Sequence, residues 1–141
     1  MIKYENSKPT VSGYKKLYES TGWAPPASIS DEVLQTAINN SLYWISAYDD
    51  EILVGIGRIV SDGALYAFVC DMIVAPKYQK QGIGTSILAL LKDKCKEHAF
   101  RRVWLFAATG KAGFYLNNGF EIRPDDAPGM QMKRTGNNPL G

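Results

Sequence analysis

Residues Gln79-Lys80-Gln81-Gly82-Ile83-Gly84-Thr85-Ser86 set two glycines among amide and hydroxyl side chains, after an apolar stretch and before an amphipathic one. Glycine lets the backbone curl so that successive N–H groups converge on one concavity. The unpaired amides at a helix start, together with the positive end of its dipole, favour an anion there. A phosphate is the expected ligand. Thr85 and Ser86 can add hydroxyl donors, and Lys77 and Lys80 add long-range attraction. A nucleoside-triphosphate loop needs a lysine directly after its last glycine, but Gly84 is followed by Thr85. The dinucleotide fingerprint needs three glycines, and the segment has two. Neither common phosphate motif accounts for it.

Asp71 is the one carboxylate in the apolar run from Leu65 to Val74. A carboxylate in that setting is suited either to accept a proton or to anchor loop backbone, and both readings stand. Cys70 has no histidine beside it and reads as a packed thiol, whereas His98, near a helix end after Lys96 and Glu97, reads as surface. Cys70 and Cys95 have neither the count nor the spacing of a disulfide framework or a zinc site, so reduced thiols and no metal are expected.

The elements that must position these groups are set by periodicity and turn chemistry. Ile2 to Glu5 suits a short strand. Thr10 suits the N-cap of a helix whose face carries Val11, Tyr14, Leu17 and Tyr18, with Gly22 ending it. Ser30 caps a second helix with Val33, Leu34, Ala37 and Ile38 apolar. Leu42 to Tyr48 and Ile52 to Val60, joined by Asp49-Asp50, predict a hairpin. Leu65 to Val74 predicts a strand covered on both faces. Ile87, Leu88, Leu91 and Cys95 recur at helical spacing after Gly84. Val103 to Ala107 predicts a strand, Lys111 to Asn118 a short helix ended by Gly119, and Phe120 to Ile122 and Met130 to Lys133 two further strands. The order predicts an α/β fold with a mixed sheet, parallel in its second half.

The chain has 141 residues, 45% of them hydrophobic, which predicts one domain over residues 1–134 and a polar, frayed tail over 135–141. Sixteen basic and 14 acidic residues leave a net charge of +2, too small and too dispersed for a nucleic-acid footprint. No window approaches the ~20 apolar residues of a membrane span, and MIKYENSKPT lacks a leader's apolar core, so a cytoplasmic protein is expected.

The stretch DMIVAPKYQKQGIGTSILALL, Asp71 to Leu91, resembles the acetyl-CoA signature of GNAT-type N-acetyltransferases, Gln/Arg-x-x-Gly-x-Gly/Ala, through Gln79, Gly82 and Gly84. Downstream, Gly113-Phe114-Tyr115-Leu116-Asn117-Asn118-Gly119-Phe120 is similar to the family's second landmark, a Phe-Tyr pair on a short helix ending in Gly-Phe. The resemblance covers most of residues 42–123, and it implies a single GNAT-like domain and acetyl-CoA as co-substrate. It implies that the pyrophosphate rests on amides from Gln81 to Thr85. It also implies that the thioester lies beside the backbone of Met72, Ile73 and Val74, where an N–H can polarise the carbonyl.

In this family the tyrosine of the Phe-Tyr pair protonates the departing thiolate, which implies that role for Tyr115. The amine must shed a proton, and Asp71 is the carboxylate nearest the thioester strand. Several members carry a glutamate earlier in this strand, where this sequence has Phe68, so the base stays open. The acceptor side is expected to involve Trp23 in the loop between the first helices, with Tyr43 and Phe68 from the strands. Trp44 and Tyr66 are weighed there too, though strand aromatics are commonly core. The implied activity is acetyl transfer to a primary amine of a small molecule, with arylalkylamines a hint. The alternatives are a lysine or N-terminal acetyltransferase and a non-catalytic CoA-binding module. A monomer or homodimer is expected.

Overall fold

The structure is a computed structural model that describes residues 1–22 and 29–133. Trp23 and the tail 135–141 lie outside the described residues. The elements run β1 (Ile2–Glu5), α1 (Val11–Glu19), α2 (Asp31–Asn40), β2 (Tyr43–Asp49), β3 (Ile52–Ser61), β4 (Tyr66–Val74), α3 (Ile83–His98), β5 (Arg102–Trp104) and α4 (Ala112–Leu116). Side-chain caps start both early helices. Thr10 Oγ1 accepts from the Gly13 amide at 3.0 Å and Ser30 Oγ from the Val33 amide at 3.2 Å. The Asp62 carboxylate gathers the amides of Ala64, Leu65 and Tyr66 and so turns the chain from β3 into β4.

The sheet is ordered β1-β2-β3-β4-β5. Its first three pairings are antiparallel, and β4 with β5 is parallel. Helix α3 covers one face through Ile83, Ile87, Leu88 and Leu91, packed on Ile45, Val54, Ile59 and Val69. Helices α1 and α2 cover part of the other through Tyr14, Leu17, Leu34 and Ile38, packed on Trp44, Ile56 and Ile73. Fully burying each such aliphatic side chain stabilises the fold by about 1.5–3 kcal/mol.

Three expectations are corrected. Strand β5 ends at Trp104, because its pairing with β4 stops at Phe68↔Trp104 and the two strands then part. Neither Phe120 to Ile122 nor Met130 to Lys133 is a strand. The Phe120 amide instead bonds the Tyr115 carbonyl, and its ring joins the α3 side of the core. Pro124 and Pro128 interrupt the chain beyond it. Ile122, Met130 and Met132 stay 72%, 84% and 91% exposed.

Candidate active site

Where β4 leaves β5, a cavity of about 770 Å³ opens, lined by β4 from Val69 to Val74, the loop and first turn of α3, and Phe106, Lys111, Phe114 and Tyr115. One end is a helix start. Gly82 caps α3 at φ +82° with no side-chain cap, and the first backbone bond into α3 runs from Ser86 to Gly82, leaving the amides of Ile83, Gly84 and Thr85 without intrahelical acceptors. Lys80 also has a positive φ, +63°, so the loop turns twice within three residues. A Cβ on Gly84 would stand 3.5 Å from Phe114 Cζ, ordinary contact. The Gln79 side chain donates to the Val74 carbonyl at 3.0 Å, and the Tyr78 hydroxyl donates to Asp49 Oδ2 at 2.6 Å. The loop is thereby fastened to the end of β4 and to the β2–β3 hairpin. Gln79, Lys80, Gly82, Ile83, Gly84 and Thr85 all line the cavity. Gln81, by contrast, turns its side chain back to the Lys77 carbonyl, at 3.3 Å. Ser86 sits one residue further along α3.

At the other end β4 breaks its alternation. Ala67 and Val69 point to the α3 core, which places Phe68 and Cys70 on the opposite face. Past Asp71 the phase flips, for Met72 and Val74 pack on the α3 side and Ile73 on the α1/α2 side. The pairing shows why. Arg58↔Cys70 is followed by Ile56↔Ile73, so Asp71 and Met72 together face Gly57 in a β-bulge. Asp71 takes φ +52°, which turns its carboxylate towards α1. Its Oδ2 accepts from Arg58 Nε at 2.8 Å and from the Tyr14 hydroxyl at 2.5 Å. Burial disfavours charge on Arg58, and the neighbouring Asp71 and Tyr14 outweigh it, so the guanidinium pKa is raised. Burial and then Asp71 hold the Tyr14 hydroxyl well above the ordinary tyrosine range.

Tyr115 is half-buried, edge-on to Phe114 at 5.0 Å and to Phe120 at 5.9 Å between centroids. Burial pushes its pKa up, so it is a proton donor at neutral pH. Its hydroxyl has no hydrogen-bond partner among the described residues. Tyr115 and Phe106 also border a second groove, of about 750 Å³, lined by Phe68 and Trp104 and by the charged Glu121, Arg123 and Asp125. The aromatic wall is continuous, since Tyr66 stacks on Trp104 at 5.3 Å and Phe68 lies 5.7 Å from Trp104 and 5.4 Å from Phe106.

Phe68 and Tyr43 are not brought together. Tyr43 packs on the α3 core under Lys94, 4.9 Å from Nζ to the ring centroid, on the face away from Phe68. Trp44 is buried in the α1/α2 core. Cys70 lines the cavity, but burial raises its pKa and keeps it a thiol, while His98 stacks on Phe100 at 4.9 Å. No group of three or more His, Cys, Asp or Glu among the described residues is arranged to hold a metal.

An uncapped helix start with free amides, a bulged strand parting from its neighbour and a half-buried, protonated tyrosine line one cavity. Residues 13–120 match the model of the acetyltransferase (GNAT) family, and the chain belongs to that family of acetyl-CoA-dependent N-acetyltransferases. It is 33% identical to a GNAT-family acetyltransferase structure from Streptococcus pneumoniae, with TM-score 0.81, covering 96% of this chain and 100% of that one. A probable acetyltransferase from Staphylococcus aureus superposes with TM-score 0.83 at 27% identity, covering 95% of this chain and 100% of that one. Among curated relatives, a histone acetyltransferase of Glycine max is 30% identical over 128 residues, 85% of this chain and 55% of that protein. The chain thus spans about half of that relative's length. Two Arabidopsis thaliana relatives are named chloroplastic. No helix among the described residues is long and apolar enough to cross a membrane.

Tyr14, Arg58, Trp104, Phe106, Glu121 and Asp125 were not singled out from sequence as site residues. Arg58, lone cation of the apolar strand β3, is the sequence-level counterpart of Asp71 in β4.

Proposed function

We propose that the enzyme moves the acetyl group of acetyl-CoA directly to the primary amine of a small molecule with an aromatic or apolar body, an arylalkylamine being the type. The observation that carries this is the aromatic groove of Phe68, Trp104 and Phe106, which meets the β4 cavity at Tyr115. Phe68 occupies the strand position where several family members have a glutamate, which makes this wall apolar. Glu121, Asp125 and Arg123 also line it, a net acidic set that favours a cation.

In this reading the pyrophosphate lies on the amides from Gln81 to Thr85, with Ser86 in the same turn. The thioester lies against the backbone of Met72 to Val74. An alkylammonium of pKa ~10.4 must lose its proton before attack. Asp71 is already engaged by Arg58 and Tyr14 and is read as an anchor, so water in the cleft takes that proton. The neutral nitrogen adds to the carbonyl carbon, β4 amides hold the oxyanion, and collapse breaks the C–S bond. Tyr115 then protonates the departing thiolate, and the second N–H proton of the acylated nitrogen passes through cleft water to restore the tyrosine. The products are the amide and free CoA, and no acyl-enzyme forms.

A panel of 2-phenylethylamine, spermidine and a lysine-containing peptide, with release of free thiol as the readout, tests the acceptor class. The aromatic amine should give the highest kcat/KM, and turnover of the peptide alone would refute the small-molecule reading. The peptide is the second reading because of the name of the Glycine max relative. Acetyl-CoA binding without transfer to any amine would leave a non-catalytic module.

A further inference from the structure

At the bulge, one residue of β4 is tied to two other elements. Asp71 Oδ2 receives Arg58 Nε from β3 and the Tyr14 hydroxyl from α1. Those two donors are themselves fixed. Arg58 Nη1 donates to Ser41 Oγ at 3.1 Å, and Ser41 Oγ donates to the Ala37 carbonyl of α2 at 2.8 Å. The guanidinium lies 5.7 Å over the Trp44 ring, Trp44 Nε1 donates to the Ile38 carbonyl at 3.0 Å, and Tyr14 meets Trp44 edge-on at 5.6 Å. Arg58 and Asp71 side chains are only 17% and 14% exposed, so the pair is shielded from water and rigidly held.

The conformation being held is an unfavourable one. At φ +52° the Cβ of Asp71 crowds its own carbonyl, and a free aspartate in a strand relaxes to extended backbone. A strained residue persists where its surroundings over-determine it. The same residue lines the cavity directly before Met72, Ile73 and Val74, the backbone that faces the thioester in the proposed reading.

We propose that Tyr14 and Arg58 are positioning residues: by fastening Asp71 in the left-handed conformation they aim the β4 amides at the acetyl carbonyl, and they tie that aim to the seating of α1. The inference rests on the acetyl-CoA site proposed above. Neither residue touches the donor, since neither lines the cavity. Their loss therefore acts on the polarisation of the carbonyl and leaves the affinity for the nucleotide end.

The test uses acetyl-CoA labelled with ¹³C at the carbonyl, bound to the full chain without an amine, with infrared difference spectra and titration calorimetry. A hydrogen-bonded thioester carbonyl absorbs at lower frequency than a free one. In Tyr14→Phe and Asp71→Ala the band should return towards that of free acetyl-CoA. The Kd should stay within about threefold of wild type because the amides at the start of α3 are untouched. A clamp serving stability alone would lower the melting midpoint and leave the band in place. That result in both variants overturns the proposal. Tyr14→Phe removes one oxygen and keeps the buried ring, so it carries the test if Asp71→Ala does not fold. A wild-type chain that binds acetyl-CoA with its carbonyl band at the free position would overturn the site reading as well, and so separates the two failures.

Discussion

Replacing Gly57 by alanine probes the bulge from the opposite strand. An ideal Cβ at this position stands 2.7 Å from Met72 Sδ, 2.8 Å from Ile87 Cγ2 and 2.8 Å from Leu91 Cδ1. Ile87 and Leu91 are fully buried and have no room to retreat, so the strain falls on Met72, the residue following Asp71. Overpacking of this kind costs about 1–3 kcal/mol. Alanine restricts the unfolded chain and returns about 0.4–1 kcal/mol. The net loss is about 1–2 kcal/mol, a fall in melting midpoint of about 3–7 °C for a domain of this size. Gly113 in α4 is the control. Nothing lies within 4 Å of its Cβ, and alanine in a helix interior gains about 0.5–1 kcal/mol over glycine. Calorimetry and urea melts of both variants check the pair. Gly57→Ala should also slow acetyl transfer, through the displaced Met72. A Gly57→Ala protein as stable as wild type, or less damaged than Gly113→Ala, would refute the reasoning.

Tyr115→Phe should lower kcat by about 100-fold or more with the Kd for acetyl-CoA unchanged, as expected for loss of a general acid, and equal turnover would remove Tyr115 from the mechanism. Because burial raises its pKa, the alkaline limb of kcat should lie above the ordinary tyrosine value of ~10, which a pH–rate profile measures. Gly82→Ala meets no neighbouring atom but must hold φ +82°, a left-handed cost of roughly 1–2 kcal/mol, so calorimetry should show weaker acetyl-CoA binding with the sheet's circular dichroism retained. Tyr14 bears on alkaline stability. Its folded pKa is raised, so above ~10 the unfolded chain releases a proton that the native state keeps, and stability should be complete below that pH and decline above it. Tyr14→Phe should flatten that decline in urea melts run across alkaline pH.

The glycine turn into α3, both capped helices and the β2–β3 hairpin were legible because each rests on local chemistry, such as a glycine at positive φ or a hydroxyl three residues before an amide. The bulge was not. The run from Leu65 to Val74 is apolar on both faces, so its pattern carries no phase to be seen to flip. Tyr43 was set on the wrong side of the sheet for the same reason, since β2 buries Trp44 on one face and Ile45 on the other. Phe120 and Met130 have the composition of strands without a partner in the sheet, and pairing is a non-local property. Asp71 was noticed for its charge, but its tie to Tyr14 spans 57 positions of sequence and is visible only once α1 is docked.

The phase flip also bears on what a shortened chain would do. If Asp71 were deleted and β4 ran straight, Cys70, Met72, Ile73 and Val74 would alternate onto the same faces they occupy now. Every apolar contact of the sheet would keep its side. The groups stranded would be the Arg58 guanidinium, left charged beside Trp44 without its carboxylate, and the Tyr14 hydroxyl. In terms of hydrophobic packing, position 71 is supernumerary. A one-residue deletion there should yield a folded, weakened chain that still binds the nucleotide end of acetyl-CoA and transfers nothing.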